Sequence, residues 1–125
     1  MPRAPKPDLN DAFFALSDPT RRSILEQLGA REAGVTEIAE PHDMSLPAIS
    51  KHLRVLEQAG LLTRRVEGRQ HFLRVNPDPL QQAKQWIERQ RVFWEGSFDK
   101  LAEHLERMTA ESPPSTPKSS KSRKP

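Results

Sequence analysis

Hydrophobic positions along the chain fall into blocks whose period changes twice. Leu9, Ala12, Phe13 and Leu16 recur at helical steps and predict a first helix. Ser17-Asp18-Pro19 follows, where Asp18 suits an N-cap and Pro19 the first helical position. A second helix therefore starts there, with Ile24, Leu25 and Leu28 on its apolar face, and Gly29 ends it. Val35, Ile38 and Ala39 predict a third, short helix begun near Thr36 and limited to about two turns by Pro41. Ser45 is the next cap, Pro47 is tolerated in the first turn, and a fourth helix runs to Ala59 before Gly60. A helix, a short turn and a second helix make a helix-turn-helix arrangement.

From Leu62 the segment LTRRVEGRQHFLRV changes period from about four to two, with Val66, Phe72 and Val75 as strand residues and Glu67-Gly68-Arg69 as the turn. It predicts a two-stranded hairpin. Asn76-Pro77-Asp78-Pro79 then offers caps and helix-start prolines, and no proline recurs until Pro113. A fifth, long helix over about 79–108 fills that gap, with Leu80, Ala83, Ile87, Trp94, Phe98, Leu101, Leu105 and Met108 stepping mostly by three or four. At ~1.5 Å per residue, roughly 30 residues span about 45 Å, more than a small domain covers by itself. A second subunit is the expected cover.

The fourth helix divides by face. With Ile49 as origin and ~100° per residue, Leu53 and Leu56 fall within about 40° of it and define the buried side. Pro47, Lys51, Arg54 and Gln58 fall near the opposite pole, flanked by Ala48 and Ser50. Small residues near a helix start permit close approach to base edges, while Lys and Arg reach phosphates or guanine acceptors. Two cations alone would read as a solvated face, but the hairpin adds Arg64, Arg65, Arg69 and Arg74. Arg69 at its tip can lie along a phosphate backbone or enter a minor groove; the plainer account is an exposed edge made soluble by charge. Together the two elements favour double-stranded DNA as partner.

Charge placement sharpens this. The net charge of +3 resides in residues 109–125, and residues 1–108 are neutral overall. Within them, residues 44–75 carry six basic against two acidic residues, while residues 1–43 carry five against eight. A neutral body with one basic sector suits a polyanion. At 125 residues and 34% hydrophobic content the chain has room for one domain, placed at 8–108. The Pro-rich arm at 1–7 and the Pro, Ser and Lys-rich tail at 109–125 are expected to be disordered. With no apolar run of about 18 residues and no leader pattern, the expectation is a soluble, cytoplasmic protein without a membrane span.

LSDPTRRSILEQL, then VTEIAE, then MSLPAISKHLRVLEQAGLLTRRVEGRQHFLRV, in that order and spacing, resembles the ArsR/SmtB family of bacterial winged-helix repressors over about residues 8–108. The ending LQQAKQWIERQRVFWEGSFDKLAEHL is similar to a metal-independent branch with a long last helix. The resemblance implies a mainly α fold with a small β-hairpin: a winged helix-turn-helix of about five helices plus a two-stranded wing. It implies a homodimer joined through the first and last helices, with Leu9, Phe13, Leu80, Ile87, Trp94, Phe98, Leu101 and Leu105 as dimerisation residues. It also implies that Ser45, Pro47, Ala48, Ser50, Lys51 and Arg54 face the major groove and Arg69 lies on the wing; Arg64 and Arg65 of the hairpin are expected to bind DNA with them. Leu46 departs from the family pattern, which commonly has a polar residue there; about 60° from Ile49, it packs at the core edge or touches a thymine methyl.

Metal-sensing relatives place thiolates in the segment matching Gly34-Val35-Thr36 or ligands on the last helix. This chain has no cysteine, and His42, His52, His71 and His104 form no close pair on one helical face, so no metal or cofactor is expected. His52 is expected beside the core and His104 in solvent. No Gly-x-Ser-x-Gly elbow or phosphate-binding glycine loop is present, and Glu103 and Glu106 read as salt-bridge partners, so an enzyme is not expected. Trp86, Phe93, Trp94 and Phe98 suit a dimer core, with a pocket for an unknown small-molecule effector as the alternative. The function expected is a dimeric repressor occluding a promoter at a two-fold symmetric operator. The alternative is a protein-interaction module using the long last helix.

Overall fold

The computed structural model describes residues 6–111. The arm expected over 1–7 lies outside the described residues up to residue 5, and the tail expected over 109–125 lies outside them from residue 112. The chain divides after Trp86 into two units.

In the first unit, α1 (Leu9–Leu16), α2 (Pro19–Leu28), β1 (Ala33–Gly34), α3 (Val35–Ala39), α4 (Leu46–Gln58), β2 (Leu62–Glu67) and β3 (Gln70–Val75) follow in order. The α1 start is a reciprocal box in which Asp11 N–H donates to Asp8 Oδ1 at 3.0 Å and Asp8 N–H donates to Asp11 Oδ2 at 2.9 Å. At the corner between α1 and α2, Asp18 Oδ2 accepts from the N–H groups of Thr20 and Arg21 at 2.8 and 3.1 Å, as its N-cap position requires. Pro19 has no N–H to offer the Ala15 carbonyl, and Arg21 Nε donates to that oxygen instead at 2.7 Å. The proline that starts α2 thus creates the vacancy its neighbour fills.

The core gathers Ile24 and Leu28 of α2, Ile38 of α3, Ile49, Leu53 and Leu56 of α4, Leu61, and Leu73 of β3, all fully buried. Each such side chain contributes about 1.5–3 kcal/mol. The sheet has the antiparallel order β1-β3-β2, with Ala33 opposite Leu73 and Leu62 opposite Val75. It therefore has three strands where the hydrophobic pattern predicts two; Ala33 and Gly34 are too few to show a period of two. Gly68 turns the hairpin at φ 63°, a conformation open to glycine without penalty.

The last helix, α5, spans Asp78–Glu111, starting one residue before and ending three residues beyond its expected bounds. In the first unit Ala83 is buried, Leu80 packs against the core and Trp86 meets Phe13 edge to face at 5.8 Å. In the second unit Ile87, Trp94, Phe98, Leu101, Leu105 and Met108 are each more than half exposed along one helical stripe. Among the described residues, no helix is long and apolar enough to cross a membrane.

Candidate nucleic-acid interface

The face of α4 opposite the core is built as the helical period dictates. Ile49, Leu53 and Leu56 are buried, whereas Pro47, Lys51, Arg54 and Gln58 are exposed. Ser45, also exposed, accepts the Ala48 N–H at 3.2 Å, and Ala48 and Ser50 lie half-buried on the flanks. Leu46, the first residue of α4, is 49% exposed, so it does not sit at the core edge. It lines a cleft of about 530 Å³ between the α4 start, the β1–α3 segment and the hairpin residues Arg64, Arg69, Gln70, His71 and Phe72.

The cations of this sector fall into two groups. Lys51, Arg54 and Arg69 make no ion pair or hydrogen bond among the described residues. Their charge stands free at the surface of α4 and at the hairpin tip. Arg64 instead donates from Nε and Nη2 to the two carboxylate oxygens of Glu57 on α4, at 2.8 and 2.7 Å. Arg65 binds Glu32 in the same forked way, at 3.0 and 2.8 Å, and reaches Glu67 at 2.8 Å. Its guanidinium also lies 4.6 Å from the centre of the Phe72 ring, its cross-strand partner. Hydrogen bonding from Glu57 holds Arg64 above the usual guanidinium range, and Glu32 and then Glu67 do the same for Arg65. The Arg65 bond in turn holds the Glu32 carboxyl below its ordinary value.

One contact behind α4 leaves no mark in hydrophobic periodicity. Arg21 is only 8% exposed, donates to the carbonyls of Ala15 and Phe14, and places Nη1 3.3 Å from His52 Nδ1. A guanidinium only donates, so that His52 nitrogen accepts. The Arg21 bond ties α4 to the corner between α1 and α2, where Asp18 Oδ2 lies 3.8 Å from the same ring nitrogen. His52 is thus half-buried and turned from the free cations. The signal available in the sequence was the adjacency of Asp18, Pro19 and Arg21, which implies an unsatisfied carbonyl at the end of α1.

The other histidines are dispersed. His42 meets Gln27 at 3.0 Å, His71 meets Arg64 at 3.1 Å, and His104 is exposed on α5. Among the described residues, no group of three or more His, Cys, Asp or Glu side chains could hold a metal ion.

A second helix presenting free cations beside a basic hairpin defines the winged helix-turn-helix class. A family model for a helix-turn-helix domain matches residues 16–65. The transcriptional repressor SdpR of Bacillus subtilis (strain 168) is 37% identical over 79 residues, covering 63% of this chain and 88% of SdpR. The crystal structure of the ArsR family transcriptional regulator RHA00566 is 38% identical with a TM-score of 0.66, covering 70% of this chain and 96% of that one. The solution structure of the homodimeric winged helix-turn-helix DNA-binding domain Mb0332 from Mycobacterium bovis is 27% identical with a TM-score of 0.51, covering 77% and 82%. The chain belongs to the ArsR family of transcriptional regulators.

Proposed function

We propose that this regulator is a dimeric repressor that binds a two-fold symmetric DNA operator and occludes a promoter. The observation that carries the reading is the free charge of Lys51, Arg54 and Arg69, cations of α4 and the hairpin tip that have no ion pair or hydrogen bond among the described residues. An exposed cation without a carboxylate neighbour can exchange its counterion for a phosphate at little cost. Ser45, Pro47, Ala48 and Ser50 keep the α4 start low in profile, which lets it enter a major groove and bring Lys51 and Arg54 to base edges or phosphates. Arg69 at the wing tip takes the adjoining backbone or minor groove. Repression is supported by the similarity to SdpR.

The dimer is supported by the apolar stripe of Ile87, Trp94, Phe98, Leu101 and Leu105, because side chains of that size more than half exposed mark an interaction face. The homodimeric Mb0332 domain supports the same state. Leu9, Phe13 and Leu80, each half-buried in the first unit, are the remaining residues assigned to the interface. Two copies of α4 would then read major grooves about one turn apart, roughly 34 Å. Selection of bound DNA from random sequence tests the reading. An inverted repeat with half-sites one turn apart is the expected result, and recovery of no common sequence contradicts it.

A further inference from the structure

Arg64 and Arg65 are neighbours on β2, so their side chains leave opposite faces of the strand. Each finds a carboxylate on its own side. Arg64 takes Glu57 of α4 through two parallel bonds and His71 of β3 through a third at 3.1 Å. Arg65 takes Glu32, in the segment just before β1, and rests on Phe72. The hairpin is thereby fastened on one face to α4 and on the other to the chain ahead of α3. To reach a phosphate, Arg64 would have to break both bonds to Glu57 and leave that carboxylate facing the DNA. The Arg64 and Glu57 side chains are only 30% and 24% exposed, which shields their pairing from solvent.

We propose that Arg64 is a positioning residue of the wing and not a DNA ligand: its forked bond to Glu57 sets β2, and through the hairpin the tip residue Arg69, against α4. The proposal rests on the DNA-binding reading above. Arg69 lies five residues past Arg64, with Gly68 and Arg69 forming a tight two-residue turn between Glu67 and Gln70. Such a turn transmits the orientation of the strands to its tip. Glu57, an acidic residue in a basic sector, gains a role on this account that charge pattern alone does not supply.

Affinity of the full chain for its selected operator, measured over a range of salt, tests the assignment. Arg64→Gln and Glu57→Gln should each weaken binding about fivefold, the upper end for an ion pair of this exposure. The slope of log affinity against log salt should stay unchanged, because no phosphate contact is lost. Arg64→Lys, which keeps the charge and loses the fork, should behave like Arg64→Gln. Once Arg69→Ala has removed the tip, either Gln substitution should weaken binding less than about twofold further, since coupled residues are non-additive.

A direct phosphate contact would give the opposite pattern. Glu57→Gln would strengthen binding by releasing the cation, Arg64→Gln would flatten the salt slope, and the loss would add in full to that of Arg69→Ala. Any of these overturns the proposal. A wild-type affinity that ignores salt would instead remove the DNA-binding reading, and the positioning role with it.

Discussion

Arg21→Met removes the guanidinium at the α1–α2 corner while keeping most of the side-chain volume. The Phe14 carbonyl would keep the Ser17 N–H and hydroxyl as donors, at 3.1 and 2.6 Å. The Ala15 carbonyl would not be replaced so easily: Arg21 Nε reaches it at 2.7 Å, Pro19 has no N–H, and Ala15 is fully buried. A hydrogen bond from a charged donor contributes about 1.5–3 kcal/mol, and a buried acceptor left bare costs a similar amount. Arg21→Met should therefore lower stability by about 2–3 kcal/mol, a large part of the 5–15 kcal/mol typical of a domain. Arg22→Met is the control, since its single bond to the Leu16 carbonyl lies at the surface, and its loss should stay under about 1 kcal/mol. Urea unfolding followed by far-ultraviolet circular dichroism, at one fixed protein concentration, reads the difference. With a slope of about 1–3 kcal/mol per molar urea, the Arg21→Met midpoint should drop by roughly 1–2 M. A midpoint equal to that of Arg22→Met would refute the reasoning.

Four further substitutions probe the corner, two glycines and the apolar stripe. Burial raises the Asp18 carboxyl, but the backbone N–H groups of Arg21 and Thr20 and the Arg21 guanidinium pull the other way and leave it below its ordinary 3.8. Its stabilisation is thus present above that value and lost as pH falls through the lower folded value; Asp18→Asn, which still caps, should flatten stability in that acid window when unfolding is measured from pH 6 downward. Gly60 sits at φ 77° with Pro7 Cγ 3.4 Å from where a Cβ would stand, so Gly60→Ala should destabilise by about 1–2 kcal/mol, whereas Gly96→Ala on open helix surface should stabilise by up to ~1 kcal/mol in the same thermal melts. Phe98, 60% exposed on the apolar stripe, should hold the dimer, and Phe98→Glu should yield monomer in sedimentation equilibrium; an unchanged dimer would move the interface elsewhere.

Much of this was legible in the chain because local chemistry wrote it. Asp18-Pro19, Ser45 with Pro47, and Gly29 and Gly60 punctuate helices through caps that need only near neighbours. The core face of α4 followed from spacing alone. What stayed hidden depends on residues far apart in sequence. Strand β1 exists because Ala33 and Gly34 pair with Leu73 and Phe72, and no two-residue stretch announces such a partner. Arg64 and Arg65 read as free cations until Glu57 and Glu32 are placed beside them. Leu46, at an angle between the two faces of α4, could be read either way, and its position at the very start of the helix leaves it beside the cleft and not in the core.

The proposed DNA contact rests on Lys51, Arg54 and Arg69, which have no ion pair or hydrogen bond among the described residues. The most direct measurement is the salt dependence of operator affinity for the wild type and for the variant carrying Lys51→Ala, Arg54→Ala and Arg69→Ala together. Each phosphate contact contributes about 0.9 to the slope of log affinity against log salt. The account predicts a steep wild-type slope and a shallow one, with weak affinity, for the triple variant. Equal slopes and equal affinities would contradict it.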